Sequence, residues 1–381
     1  MAVYDINDFK VNKHSKLRKF RKVLWLFFAV YVVIYFIMYH EDYSLKSLQR
    51  SIEYVALANN DEHIGDDISV TIDRTTIYDI FQNGFVTLDK DVLTYINAAS
   101  RVDVEIPYAY QNPDIAVGKN QIITFDRQGY EFSSSNSFGE TFSTQTSSKI
   151  LDVSISPSDY FSVLTDEASY ISALTVYNNS NKEIFKWSTS TYNVVSSIID
   201  SSGDNMIALC IYQEDATIKS KIVLFDISKK EISAEVEFQD SIPIDASFFS
   251  NGNISVIFSD SICILDSDLQ TLYSKNTANL YAYNVETTHN MLYATDDEIG
   301  VLITVLNSQG QEVASKTIDY TTKAFAMSND AIYILTANYV YKYDLELNLI
   351  GQIYTETNIM GIICDNNTLY GIYSTGIKRL F

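Results

Sequence analysis

From about residue 68 to the end of the chain, apolar and polar positions alternate in short runs broken by polar turns, and the three- to four-residue spacing of a helix is absent. A period of two predicts strands. Many runs end in an aromatic or aliphatic pair followed by Asp or Asn: Tyr-Ile-Asn97, Val-Tyr-Asn178, Leu-Phe-Asp226, Ile-Leu-Asp266, Val-Leu-Asn307 and Tyr-Lys-Tyr-Asp344, with Ser-Ser-Asn136 as a weaker member. The steps between them are 39, 42, 48, 40, 41 and 37 residues. A period near forty built from short strands is the mark of β-propeller blades.

Each unit divides into four strands, a to d. In the clearest one, Ala324–Met327 is a, Ile332–Thr336 is b, Tyr339–Asp344 is c and Ile350–Thr355 is d. The Asp or Asn falls where c turns into d, because its short side chain accepts a hydrogen bond from a backbone N–H two residues on. One further step of 37 residues from Asp344 reaches Phe381, so the last unit has strands a (Met360–Ile363), b (Leu369–Tyr373) and c (Ile377–Phe381) but no d. The segment Ile68–Asp73 is expected to fill that place and latch the ring, since an unfilled outer edge exposes unpaired backbone groups. Eight blades follow, or seven if the first is misparsed.

Ahead of the repeat the pattern changes. Residues 1–22 carry seven basic side chains against two acids, and Val23–Tyr39 is an uncharged run, VLWLFFAVYVVIYFIMY. Seventeen residues at about 1.5 Å each give about 25 Å, at the short end of a bilayer core; snorkelling by Arg21 and Lys22 and the interfacial rings of Trp25, Tyr35 and Tyr39 make up the difference. A core helix would rarely follow so basic a flank, and a cleaved signal peptide would be shorter and end in small residues, where this run ends Ile-Met-Tyr-His-Glu-Asp. The expectation is therefore a cytoplasmic tail (1–22), a transmembrane signal anchor (23–39), a stalk (40–67) and an extracytoplasmic propeller (68–381). Within the stalk, Leu45, Leu48, Ile52 and Val55 recur at helical spacing, with Ser44 as a cap, which predicts a short helix over 42–58.

Composition narrows the function classes. The chain of 381 residues carries 48 acids and 27 bases, a net charge of −21, so a nucleic-acid partner is not expected. Twenty-eight tyrosines and twenty phenylalanines suit strands and packing between blades, with a carbohydrate-stacking platform as the sharper use of the tyrosines. Of the four histidines only His289 lies in the repeats, in a turn. No HExxH, GxSxG, GxxxxGK[ST] or GxGxxG string is present. Cys210, Cys263 and Cys364 lie in or beside apolar strands without a CxxC neighbour, and read as small buried hydrophobes. The acids Asp296, Asp297 and Glu298 miss the spacing of a calcium loop and are expected in a solvated turn. No catalytic, cofactor-binding or metal-binding residue is assigned, and no cofactor is expected.

The c–d hairpins, above all Leu174-Thr-Val-Tyr-Asn-Asn-Ser-Asn-Lys-Glu-Ile-Phe-Lys-Trp187, resemble blades of quinoprotein-like propellers, within the superfamily that also holds the WD40-like ones. The chain as a whole resembles an uncharacterised family of bacterial, mostly Firmicute, membrane-anchored propellers built on a domain of unknown function. No Trp-Asp or Gly-His pair recurs, and only Trp187 occupies the blade tryptophan position, so the resemblance implies no pyrroloquinoline quinone binding and no activity. The expected role is a non-enzymatic protein-binding scaffold of the cell envelope whose partner is another envelope protein. The alternatives are a glycan or small-ligand sensor, or an envelope hydrolase or lyase with an axial site. Polar, titratable groups converging on the axis would favour the last.

Overall fold

The computed structural model describes residues 21, 22, 24, 25, 27 and 28, which are helical, and residues 67–381 other than 278, 287, 298, 356, 357 and 366. The chain divides into two compact units, Met1–Glu62 and His63–Phe381. Among the described residues no helix is long and apolar enough to cross a membrane. Most of the run Val23–Tyr39 and the whole of the stalk helix expected over 42–58 lie outside the described residues.

The second unit is all-β: eight four-stranded antiparallel sheets, each of consecutive strands except the last. Strand a of most blades lies against strand a of its neighbours, so these strands form the inner wall of a ring. They are Ile77–Phe81, Pro113–Val117, Ile150–Ile155, Asn193–Ile199, Pro243–Phe248, Leu280–Glu286, Thr322–Met327 and Ile359–Asp365 in blades one to eight. The ring is an eight-bladed β-propeller, and the parse of blade seven holds to within two residues at every strand end.

Strand b is buried on both faces, which is why it reads as a continuous apolar run. In blade four Met206, Ala208 and Cys210 pack towards blade three, while Ile207 and Leu209 pack towards blade five. The same division gives eight hydrophobic clusters, one for each junction between neighbouring blades. Stability therefore resides between sheets, and no blade buries its own faces alone. Blade two departs from the pattern with a polar strand c. Ser133 and Ser134 are fully buried there, donating to the Tyr108 hydroxyl (2.9 Å) and to Gln121 Oε1 (2.9 Å). That substitution of hydrogen bonds for apolar contacts is what made Ser-Ser-Asn136 look weak.

All seven Asp and Asn residues that set the period accept a backbone N–H from the turn that follows strand c, five of them at the expected spacing. Asn97, Asn136, Asn178, Asp266 and Asn307 accept from the N–H two residues on, at 2.8–3.0 Å. Asp226 accepts from Lys229 (2.8 Å) and Asp344 from Asn348 (2.8 Å). In each hairpin the c–d register slips at the residue before this position, a β-bulge that turns the chain. The third residue after it takes a left-handed conformation in several blades, including Leu269 (φ 59°) and Leu347 (φ 60°). Leucine is tolerated there because both side chains are driven into the clusters beneath. The long step of 48 residues is a longer b–c hairpin in blade four, Asn205–Glu214 with Thr217–Asp226, closed by Asp215 and Ala216, both at positive φ.

The latch is present. Asp67–Ser69 is the fourth strand of blade eight, with Ile68 opposite Ile377 and Ser69 opposite Gly376. It is shorter than the expected Ile68–Asp73, because the Asp73 carboxylate takes the N–H groups of Thr75 (2.6 Å) and Thr76 (2.9 Å) and bends the chain towards blade one. Ile68 and Ile72 are buried with Phe85, Tyr370 and Ile372 between the last blade and the first.

Candidate functional site

Strand a has a partner on one side only, so every second N–H on it faces away from the sheet towards the middle of the ring. Aspartates answer this in four blades. Asp79 Oδ1 accepts from the N–H of Ile80 (2.7 Å), Asp114 from Ile115 (2.8 Å) and Asp245 from Ala246 (2.8 Å); Asp152 accepts in the same way from Val153. Asp114, Asp152, Ser196 and Asp245 occupy one level, each paired with the fourth residue of the apolar run of strand b: Phe125, Leu164, Leu209 and Ile257. Blades six to eight place Ala282, Ala324 and Gly361 at that level, and blade one places Ile77. The inner wall is thus polar across blades two to five and small or apolar over the rest. Asp79 stands two residues deeper along its own strand.

Arg127, in the b–c turn of blade two, ties this level together. Its Nη2 donates to Asp114 Oδ2 at 2.6 Å and to Asp152 Oδ1 at 3.2 Å, and its Nη1 donates to the Leu151 carbonyl at 2.7 Å. The guanidinium also stacks over the Phe125 ring at 5.4 Å. Asp152 Oδ2 in turn accepts from the Ser196 hydroxyl at 3.3 Å, so one network crosses blades two, three and four. Burial works against the Arg127 charge, but Asp114 and Asp152 more than offset it and hold its pKa above the ordinary value. Burial raises the Asp152 carboxyl even with Arg127 beside it. Burial also raises Asp245, which pairs with the Tyr283 phenol of blade six. Asp79 is pushed up to about 6 by burial; the Ile80 N–H opposes the shift, and no cation faces it among the described residues.

This arrangement can hold a proton near neutral pH at Asp79 and hydrogen-bond a polar ligand across the level above. Among the described residues no group of three or more His, Cys, Asp or Glu is placed to hold a metal ion.

The residues singled out from the sequence lie elsewhere. His289 is exposed in the a–b turn of blade six. Cys210 and Cys263 are buried in the clusters on either side of blade four, with their thiols pushed up to about 12 and about 11 by burial; Cys364 is half-buried between blades seven and eight, its thiol pushed up to about 12 by the same cause. Trp187 packs on Phe225 at 5.0 Å. Asp296 and Asp297 are corrected: they do not lie in a loop but end strand b of blade six, paired with Val301 and Gly300. The sequence assigned no residue to the inner wall. The available signal was an Asp followed by Ile, Val or Ala in strand a of four units, visible once the repeats are superposed.

No curated protein matches the chain. In fold it is similar to the crystal structure of BamB from Moraxella catarrhalis, with a TM-score of 0.51 and 11% identity over 81% of this chain and 96% of that one. It is similar also to the C-terminal WD40 domain of Sif2, with a TM-score of 0.56 and 12% identity over 82% of this chain and 98% of that one. These likenesses bear out the propeller resemblance seen in the c–d hairpins. A family model matches residues 59–380, and the chain therefore belongs to the family of unknown function DUF5711.

Proposed function

We propose that the chain is a single-pass membrane protein, with its N-terminus in the cytoplasm, that presents the propeller outside the cell as a non-enzymatic scaffold for another envelope protein. The basic flank followed by the uncharged run Val23–Tyr39 supports the anchor and its orientation. One observation carries the scaffold role: an exposed apolar and aromatic corner on blade seven. Tyr354 is 67% exposed and Ile350 55%, and the Tyr354 ring packs edge-on against Tyr339, which in turn lies 5.8 Å from Tyr341. What supports a docking surface is that these side chains are contiguous on one sheet face, since single exposed apolar residues are ordinary. Cross-linking in intact cells followed by purification tests the reading: the wild-type chain captures a reproducible envelope protein, and Ile350→Ser with Tyr354→Ser loses it. Capture unchanged by the pair of substitutions, or no reproducible partner, would reject it.

Asp79 favours a second reading, a hydrolase or lyase acting on the inner wall, because a carboxyl titrating near 6 suits a general acid or base at neutral pH. Turnover of cell-wall fragments by the full chain that disappears in Asp79→Asn would support it. A flat time course across those fragments would remove it.

A further inference from the structure

We infer that blade two carries a binding cleft for a neutral oligosaccharide. The cleft, of about 460 Å³, opens where the link from blade one meets the b–c turn and the end of strand d. That volume is within the range of small-ligand sites. Four carboxamides line it, those of Gln111, Asn112, Gln128 and Gln145, together with the carboxylates of Asp126 and Glu131 and the ring of Tyr130; the lining holds no Lys, Arg or His.

The chemistry follows from that set. A carboxamide offers donors and an acceptor in one plane, which matches adjacent sugar hydroxyls that both donate and accept; a carboxylate takes two such donors. The Tyr130 ring, 47% exposed, offers a flat apolar face for the C–H side of a pyranose. With two carboxylates and no cation, the cleft repels phosphate, sulfate and uronate groups, so the ligand is an uncharged saccharide.

The walls are set before a ligand arrives. Asp126 Oδ1 accepts from the N–H groups of Gln111 (3.1 Å) and Asn112 (2.8 Å). Glu131 Oε1 accepts from Gln145 at 2.6 Å, and the Thr146 hydroxyl donates to the Tyr130 carbonyl at 3.0 Å. Gln128 is held at φ 66° while its N–H donates to Ile150 O at 2.7 Å. The carboxamides of Gln111 and Gln128 take no hydrogen bond among the described residues and are available to a ligand. Pre-formed walls lower the ordering cost of binding a flexible glycan. The cleft belongs to blade two and is independent of the blade-seven corner.

The test is titration of the full chain with chitotetraose, cellotetraose and maltotetraose, read by saturation-transfer NMR and calorimetry. At least one is expected to bind. Tyr130→Ala and Gln111→Ala should each weaken that binding tenfold or more, while Tyr354→Ala leaves it within twofold and all three variants keep the wild-type melting curve. Failure of all three sugars to bind at millimolar concentration would overturn the inference, as would binding that survives Tyr130→Ala and Gln111→Ala.

Discussion

Arg127 and Asp152 belong to neighbouring blades, yet their side chains meet at 3.2 Å on the inner wall, and the Asp152 carboxylate passes the link on to Ser196 in a third blade. Removing the guanidinium leaves Asp114 and Asp152 facing each other without their shared cation. Arg127→Ala is expected to destabilise the protein by about 2 kcal/mol at pH 7, the scale of losing charge-assisted hydrogen bonds from a partly exposed site. Asp152 has a raised carboxyl already, so without Arg127 it takes up a proton at still higher pH and the penalty shrinks as pH falls towards 5. Urea unfolding of wild type and variant at pH 7 and pH 5 reads both effects.

Asp79 should make the ring less stable as pH rises. Its folded pKa, about 6, lies above the unfolded value near 3.8, so the folded state holds the proton more tightly between those limits. Stability is then highest below about pH 4 for this group alone and falls through pH 6. Asp79→Asn keeps an acceptor for the Ile80 N–H and removes the buried charge. A gain of about 2 kcal/mol at pH 7 is expected, fading at pH 4.5, as measured by denaturant titration. No gain at pH 7 would mean that the carboxylate is better solvated than its burial implies.

Gly376 is the tightest point of the latch. A Cβ on it would sit 2.0 Å from the Ile68 carbonyl oxygen, and its φ of 148° is one that other residues rarely adopt. Gly376→Ala should therefore cost about 3 kcal/mol and act by expelling Asp67–Ser69. Hydrogen exchange would show the loss first at Ile377 and Ile68, with the blade-four amides protected as before. Uniform loss across all blades would instead show that latch and ring open together.

Ala216 offers a stabilising change. With Asp215 it forms a two-residue hairpin turn at φ 50° and 66°, the geometry that favours glycine at the second position. Ala216→Gly should raise stability by about 0.5–1 kcal/mol, the relief of left-handed strain less the entropy glycine adds to the unfolded chain. A small upward shift of the melting temperature, without change elsewhere in the spectrum, is the expected readout.

Much of the ring could be read in advance because its period is carried by local chemistry. An Asp or Asn that closes a turn onto its own chain leaves a mark in the sequence, and so does a strand buried on both faces. The latch left a mark too, because Ile68–Asp73 is a short alternating run ahead of the first full unit. The inner wall was not, because its contacts join residues far apart. Arg127 reads as an ordinary turn residue until Asp114, Leu151 and Asp152 are brought round it. Asp296 and Asp297 misled for the opposite reason: paired acids suggest a loop, but strand b of blade six carries them along an extended hairpin with Val301 and Gly300. Gln111 and Gln128 also gave no sign, since exposed amides carry no periodic pattern.

The pairing of Ile68 with Ile377 has a bearing on biosynthesis. A ribosome releases Asp67–Ser69 long before it has made the strand that segment must lie beside, so the earliest piece of the propeller has only blade one to cover Ile68 and Ile72 and waits for Tyr370, Ile372 and Ile377 until the final sheet emerges. Intermediate blades can stack as they appear, but the circle joins only after translation has passed Arg379, which leaves the growing chain a long interval in which a holding factor would be useful.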